Sequence, residues 1–240
     1  MAENSNIGWT HHTMNFWWGC NKVSAECLHC YIDGLMRFAG QVPFEGPMRT
    51  LHWEGPKKWN RRAALLETRS RIFTCSMSDF FHPGADEWRP EAWEIIRDCE
   101  YLDWLILTKR PELILDRLPP DWGHGYPNVW LGVTCGEVKS LKRLKVLKKV
   151  PAAIRFVSAE PLLEPIDFTP YLDGSFDWII TGCEQAGVGK RREMDTEWVR
   201  SIDKQCKAAG IAHFFKQYYQ GTKIVDDGLL DGKIVQQFPK

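Results

Sequence analysis

Seven short runs of this chain are apolar with little alternation: Thr13 to Trp18, Arg71 to Cys75, Trp104 to Thr108, Val129 to Thr134, Ile154 to Ser158, Trp178 to Thr181 and Ala212 to Phe215. A strand that is continuously apolar suits burial on both faces. Helical patterns separate most of these runs, at Tyr31 to Phe38, Lys57 to Thr68, Trp88 to Tyr101, Glu112 to Leu118, Val138 to Lys149 and Thr196 to Ala209. Gly210 is a natural stop for the last helix. In the first, Tyr31, Leu35 and Phe38 fall on one side. Strands that alternate with helices pair in parallel. Gln41 to Pro56 reads as irregular, broken by Pro43, Pro47 and Pro56, and residues 218–240 as a loose extension. The expected fold is α/β, a partial (β/α) barrel of six to seven mostly parallel strands. It is one strand short of a full barrel and forms one domain over residues 1–240.

In such folds the ligand lies at the C-terminal ends of the strands. Polar residues stand there throughout: Cys20, then Ser76, Ser78 and Asp79, then Thr108, Lys109 and Arg110. Thr134 and Glu137, Ser158 and Glu160, Thr181 and Glu184, and Lys216 and Gln217 complete the set. Core packing does not require a polar side chain at every strand end, whereas a shared functional mouth does.

The loop over residues 17–31 carries Cys20, Cys27 and Cys30 in a Cys-x6-Cys-x2-Cys spacing, with no fourth cysteine nearby. Three thiolates leave one position of a metal centre for something else. That position suits a fourth protein ligand at a structural zinc, from His29, His11 or His12. It equally suits a substrate or cofactor at one iron of a [4Fe–4S] cluster. No apolar run approaches the roughly 20 residues that span a bilayer, and Met1 to Asn15 has no signal-peptide core. A cytoplasmic location is therefore expected. In that reducing setting clustered cysteines point to metal or catalysis rather than disulfides.

Formal net charge is zero, so no overall pull toward nucleic acid or membrane is implied. Locally, Lys139, Lys142, Arg143, Lys145, Lys148 and Lys149 surround an apolar stripe of Leu141, Leu144 and Leu147. This is either the solvated face of an outer helix or, with Lys190, Arg191 and Arg192, a nucleic-acid footprint. Trp9, Trp17 and Trp18 crowd the cysteine loop and can shield a metal site. Cys75, Cys135 and Cys183 fall near strand ends, where buried structural thiols are the default. The stretch from Gly182 through Gly187 to Lys190 fails as a phosphate-binding loop, because lysine must directly follow the second glycine with serine or threonine next.

A longer set of motifs occurs in order: Ile7-Gly8-Trp9-Thr10, Gly19-Cys20, Cys27-Leu28-His29-Cys30-Tyr31, Ser76-Met77-Ser78-Asp79, Leu107-Thr108-Lys109-Arg110-Pro111-Glu112, Asn128-Val129-Trp130-Leu131-Gly132-Val133, Arg155-Phe156-Val157-Ser158-Ala159-Glu160-Pro161-Leu162 and Phe214-Phe215-Lys216-Gln217. With these the chain resembles a phage-associated family of radical S-adenosylmethionine (SAM)-like proteins of long-unassigned function. Some members are associated with thymidine hypermodification in phage DNA. The superfamily's usual spacing is Cys-x3-Cys-x2-Cys. The family's usual Gly-Gly-Glu-Ser-Gly is here Gly182-Cys183-Glu184-Gln185-Ala186-Gly187, with Glu184 kept.

The resemblance implies a radical SAM enzyme. Cys20, Cys27 and Cys30 would bind a [4Fe–4S] cluster whose fourth iron is chelated by SAM. Reductive cleavage would then give a 5′-deoxyadenosyl radical that abstracts hydrogen from or rearranges a substrate. It also implies an electron donor such as flavodoxin or ferredoxin, and a modified nucleotide or thymidine in DNA as substrate. Ser76, Ser78 and Asp79 would hold the SAM amino group, with an Asx or Ser turn as the structural account. Thr134 and Glu137 would meet the ribose, helix capping being the alternative. Ser158 and Glu160 would touch SAM or substrate, against a structural ion pair. Lys109 and Arg110 suit a substrate phosphate or carboxylate, against pairing with Glu112 or Glu160. Lys216 and Gln217 stand equally between substrate and structure. Cys183, Glu184 and Lys109 are the catalytic candidates, Cys183 as a hydrogen donor or extra ligand. The reading from a different class is a zinc-stabilised nucleic-acid-binding protein without radical chemistry.

Overall fold

The computed structural model describes residues 2–42, 44–186 and 189–240. The breaker at Pro43 and the Gly187–Val188 part of the glycine-rich stretch lie outside them. In chain order the elements are β1 (Ala2–Glu3), β2 (His12–Met14), β3 (Trp17–Trp18), α1 (Ile32–Phe38), β4 (Met48–Arg49), α2 (Gly55–Leu65) and β5 (Ser70–Thr74). Then come α3 (Arg89–Asp98), β6 (Leu102–Thr108), β7 (Val129–Thr134), α4 (Lys142–Leu147), β8 (Ile154–Ala159) and β9 (Trp178–Gly182). The chain ends with α5 (Thr196–Ala209), β10 (Ala212–Gln220), β11 (Lys223–Val225), β12 (Leu229–Leu230) and β13 (Lys233–Ile234).

The main sheet runs β1-β2-β5-β6-β7-β8-β9-β10-β11. Its strands from β2 to β10 are parallel neighbours in sequence order. β1 and β11 add antiparallel edges. Side chains alternate across the sheet, so its two faces bury different sets. Ile72, Leu131, Val157 and Ile179 share the outer core with helical residues such as Trp93, Leu144 and Ile202. Phe73, Leu105, Trp130, Phe156, Trp178 and Phe214 form a separate inner core with Trp9. This double burial is why the strands read as unbroken apolar runs.

The inner core also reveals the curl of the sheet. The Trp9 ring lies 4.6 Å from Phe73 on β5 and 6.3 Å from Trp178 on β9. Four strand spacings of a flat sheet would separate those strands by about 19 Å, so the sheet wraps around Trp9. Gly132 makes room inside, since a Cβ there would fall 2.3 Å from the Phe156 ring. The edges β1 and β11 are not hydrogen-bonded to each other; the sheet curls without closing. No helix among the described residues is long and apolar enough to cross a membrane.

Several local expectations change. The run Thr13 to Trp18 splits: β2 joins the sheet, while β3 pairs with β4 in a separate ribbon. Glu112 to Leu118 forms 3-10 turns at Pro111–Leu113 and Leu115–Arg117. The basic helix begins as a 3-10 turn, Val138–Leu141, before α4. In α1 the buried residues are Ile32 and Met36. Phe38 faces outward at 95% exposed, while Leu35, half exposed, and Tyr31, just before the helix, line the cavity, Tyr31 donating its hydroxyl to Ser76 O. Residues 218–240 are not loose. β10 continues to Gln220, and the tail returns under the sheet, where Phe215 N donates to Val235 O at 2.7 Å and Trp178 Nε1 to Gln237 O at 2.9 Å.

Candidate functional site

The C-terminal ends of the strands open into a cavity of about 410 Å³. Its apolar floor is Ile7, Trp9, Phe73 and Leu107, and the cysteine loop forms its roof. Cys20, Cys27 and Cys30 all line it. So do Ser76, Ser78, Asp79, Lys109, Arg110, Thr134, Ser158, Glu160, Cys183, Glu184 and Lys216. Glu137 and Gln217 do not. Glu137 precedes the Val138–Leu141 turn at the cap position, but its side chain makes no capping hydrogen bond. Gln217 lies behind Cys183 and donates to its carbonyl at 3.2 Å. Thr181 points away, into a buried contact with His213 at 3.0 Å.

Three buried carboxylates fasten the cysteine loop to the strand ends. Asp79 accepts from Thr108 Oγ1 at 2.8 and 2.9 Å, from the Lys109 and Phe81 amides at 3.0 Å, and from Arg110 Nη1 at 3.1 Å. That arrangement includes an Asx turn, and it leaves Asp79 a bracing role rather than a free acceptor for an ammonium group. Arg110 then reaches the loop, with Nη1 3.6 Å from Cys20 Sγ and Nη2 donating to Asn21 O at 2.8 Å. It pairs with neither Glu112 nor Glu160 and is not free for a substrate. Ser78 Oγ donates to Gly19 O, and Ser76 exchanges hydrogen bonds with Asn15 at 3.0 and 3.3 Å. These hydroxyls also serve the loop. Cys75, just before them, has φ +60°, a conformation uncommon for a residue with a side chain; it turns the chain from β5 into the cavity wall.

Glu26, inside the six-residue insert of the cysteine motif, is the second anchor. Its fully buried carboxylate accepts from Arg143 Nη1 at 2.9 and 3.1 Å, from Ser140 Oγ at 2.7 Å and from Gly136 N at 3.2 Å. Burial opposes its ionisation, yet Arg143 and the hydroxyls of Ser24 and Ser140 hold it below the usual glutamate range. Arg143 is thus turned inward, not part of a solvated basic face. Gly136 is required here, because a Cβ would meet Pro161 O at 1.7 Å.

Glu184 is the third. It accepts from the Arg192 amide at 2.9 Å and from its guanidinium, and meets His29 Nδ1 at 3.0 Å. Arg192 also donates to Ala25 O at 3.0 Å. Glu184 and Arg192 therefore clamp the loop on either side of Cys27, at His29 and Ala25, which fills the carboxylate and takes Arg192 out of any nucleic-acid footprint. Of the residues that fasten the loop, the sequence reading passed over Glu26, placed Arg143 and Arg192 in a basic face or footprint, and offered His29 only as a zinc ligand. The one signal was an acid embedded in a cysteine motif.

The thiols differ electrostatically. Burial raises Cys20 and Cys30 above the ordinary thiol value. Burial opposes ionisation of Cys27 too, but Lys109 and hydrogen bonds from the Val23 and Ser24 backbone and Ser24 side chain bring it below that value. Cys183 is pushed up to about 12 by burial and by Glu160, which keeps it a neutral thiol. Glu160 pairs with Lys216 across the cavity wall, the structural ion pair anticipated for it. Thr134 Oγ1 and Trp9 Nε1 are buried and have no hydrogen-bond partner among the described residues. A buried polar group without a partner is costly, so two such groups on one cavity wall mark it as a place for a ligand.

Among the described residues, no three His, Cys, Asp or Glu side chains gather closely enough to hold one metal ion. His11 and His12 lie away from the cavity, accepting from the Arg71 amide at 2.8 Å and the Asn4 amide at 3.3 Å. A family model described as "Protein of unknown function (DUF5131)" matches residues 4–239. No curated protein and no solved structure matches the chain.

Proposed function

The chain belongs to this family of unknown function, and we propose that it is a radical SAM enzyme in which Cys20, Cys27 and Cys30 hold a [4Fe–4S] cluster. The observation that carries the reading is the convergence of these three thiols on one cavity at the mouth of a curled parallel sheet. The three thiols line one cavity wall. A cluster asks for such a shared wall, because its thiolates bind different irons, whereas zinc needs its donors within about 2.3 Å of one point. With SAM bound and a flavodoxin or ferredoxin as reductant, such a cluster would supply the electron that cleaves SAM to methionine and a 5′-deoxyadenosyl radical, which serves hydrogen abstraction or rearrangement.

The chain's own residues would bind, orient and exclude water. The Asp79–Arg110, Glu26–Arg143 and Glu184–Arg192 pairs preset the cysteine loop. Thr134 and Trp9, whose Oγ1 and Nε1 are buried without a partner among the described residues, and Ser158 line the cavity and would meet a ligand seated in it. The Glu160–Lys216 pair offers both charges to an amino-acid end or to substrate. The floor of Trp9, Phe73 and Leu107 keeps water from the interior. Cys183, neutral and buried on the same wall, can donate a hydrogen atom. The substrate class that fits the resemblance is a modified nucleotide or thymidine in phage DNA.

Anaerobic purification with iron, sulfide and zinc quantified in one sample tests this, beside a Cys27→Ala/Cys30→Ala variant. We expect iron and sulfide in equal amounts, lost in the variant, and 5′-deoxyadenosine after chemical reduction with SAM. Zinc without sulfide after reconstitution, and no SAM cleavage, would instead support the zinc-stabilised binding protein, with His29 as the nearest imidazole.

A further inference from the structure

Charged groups on the cavity wall are paired with an opposite charge, with two exceptions, Lys22 and Lys109. Asp79 has Arg110, Glu26 has Arg143, Glu184 has Arg192 and Glu160 has Lys216. Lys22 donates to Leu28 O at 2.8 Å and lies 4.5 Å from the Phe44 ring. Lys109 lines the same wall half-buried, and its ammonium has no hydrogen-bond or ion-pair partner among the described residues. Its backbone is nevertheless fixed. The Lys109 amide donates to Asp79 at 3.0 Å, Thr108 Oγ1 is held by the same carboxylate, and the Arg110 amide donates to Thr108 Oγ1 at 2.9 Å. A rigid strand end thus holds an uncompensated cation in the cavity that the three thiols of the cysteine loop also line.

We propose that Lys109 is a positioning residue for charge: its ammonium, held on the wall shared by Cys20, Cys27 and Cys30, raises the reduction potential of the cluster they would carry. This rests on the radical SAM reading. A cluster bound by three thiolates is negative, and its reduced form is more negative by one electron. A fixed positive charge therefore stabilises the reduced form more than the oxidised one. Net charge around the sulfurs is among the factors that set such potentials. Half-burial limits the screening that would erase the effect at an exposed lysine.

The test is a potentiometric titration followed by electron paramagnetic resonance, on anaerobically reconstituted wild-type protein and the Lys109→Met, Lys109→Gln and Lys109→Arg variants, without SAM. Both neutral variants should keep the wild-type iron and sulfide content and titrate at a more negative potential. Lys109→Arg should return most of the shift. Unchanged potentials in the neutral variants would overturn the inference alone. So would a shift that appears only when SAM is added, which would make Lys109 a partner of the SAM carboxylate. Neutral variants that fold by circular dichroism but hold no cluster would overturn it too, by assigning Lys109 to cluster binding. Wild-type protein that takes up no iron and sulfide would remove the radical SAM reading, and this inference with it.

Discussion

Glu26 is the residue before Cys27, so whatever holds its carboxylate also holds that thiol. Its bonds to Gly136, Ser140 and Arg143 join the loop to the segment after β7. Glu26→Gln would keep the shape and leave Arg143 buried without its counter-charge. Breaking a buried pair from one side costs about 3–5 kcal/mol, and we expect a loss of that order in urea denaturation. The pH dependence follows from the lowered pKa. The folded carboxylate titrates below the ordinary value of 4.5. Its contribution is therefore complete above the unfolded value and is lost as pH falls through the folded one. Wild-type stability should drop on acidification below about pH 4.5 more steeply than that of Glu26→Gln; parallel curves would remove the pair from the account. At this scale the three cysteines were legible, because clustered thiols in one loop have few other uses. The partners of Asp79, Glu26 and Glu184 were not. Glu26 and Arg143 lie 117 positions apart, and nothing local to either residue names the other.

Elements were legible where both faces or both ends are specified locally. β7 runs over Val129–Thr134 and α5 over Thr196–Ala209 as expected. Asp195 caps α5 by accepting from Glu197 N at 2.8 Å, and Gly210 ends it at φ +70°. α1 was legible as a helix but not in its facing. Its two apolar stripes are alternatives, and only tertiary packing buries Ile32 and Met36 rather than Leu35 and Phe38. Met36 is fully buried while Leu35 is 51% and Phe38 95% exposed. Met36→Ala should therefore cost about 2–5 kcal/mol, whereas Leu35→Ser and Phe38→Ser should each stay within about 0.5 kcal/mol. Equilibrium denaturation of the three variants checks the facing. A large loss at Leu35 or Phe38 would mean that α1 packs by its other side.

For the whole molecule, curvature does what strand count alone cannot. A parallel sheet seven strands wide could lie flat, and its strand ends would then form a ridge rather than a mouth. The polar strand ends fixed the face of the site in the sequence, but the bend depends on contacts between distant segments. Trp9 fills the inside, and the C-terminal tail braces the opposite end from the cysteine loop. Phe238 lies 5.3 Å from both Trp178 and Phe214, and Arg71 on β5 stacks over it at 3.8 Å. One side chain thus ties β5 to β9 and β10, which the flat order of the sheet keeps apart. That is why a stretch polar enough to read as loose carries structural weight. Phe238→Ala should lower unfolding stability by about 2 kcal/mol, from lost aromatic burial and the lost cation–π contact. Iron and sulfide uptake should stay near the wild-type level, because the cysteine loop is fastened at the far end by Asp79, Glu26 and Glu184. Urea denaturation and metal analysis of the same preparation separate the two ends. Loss of uptake at unchanged stability would show that the tail acts on the mouth directly, while loss of stability alone is what a brace at the closed end of the curl requires.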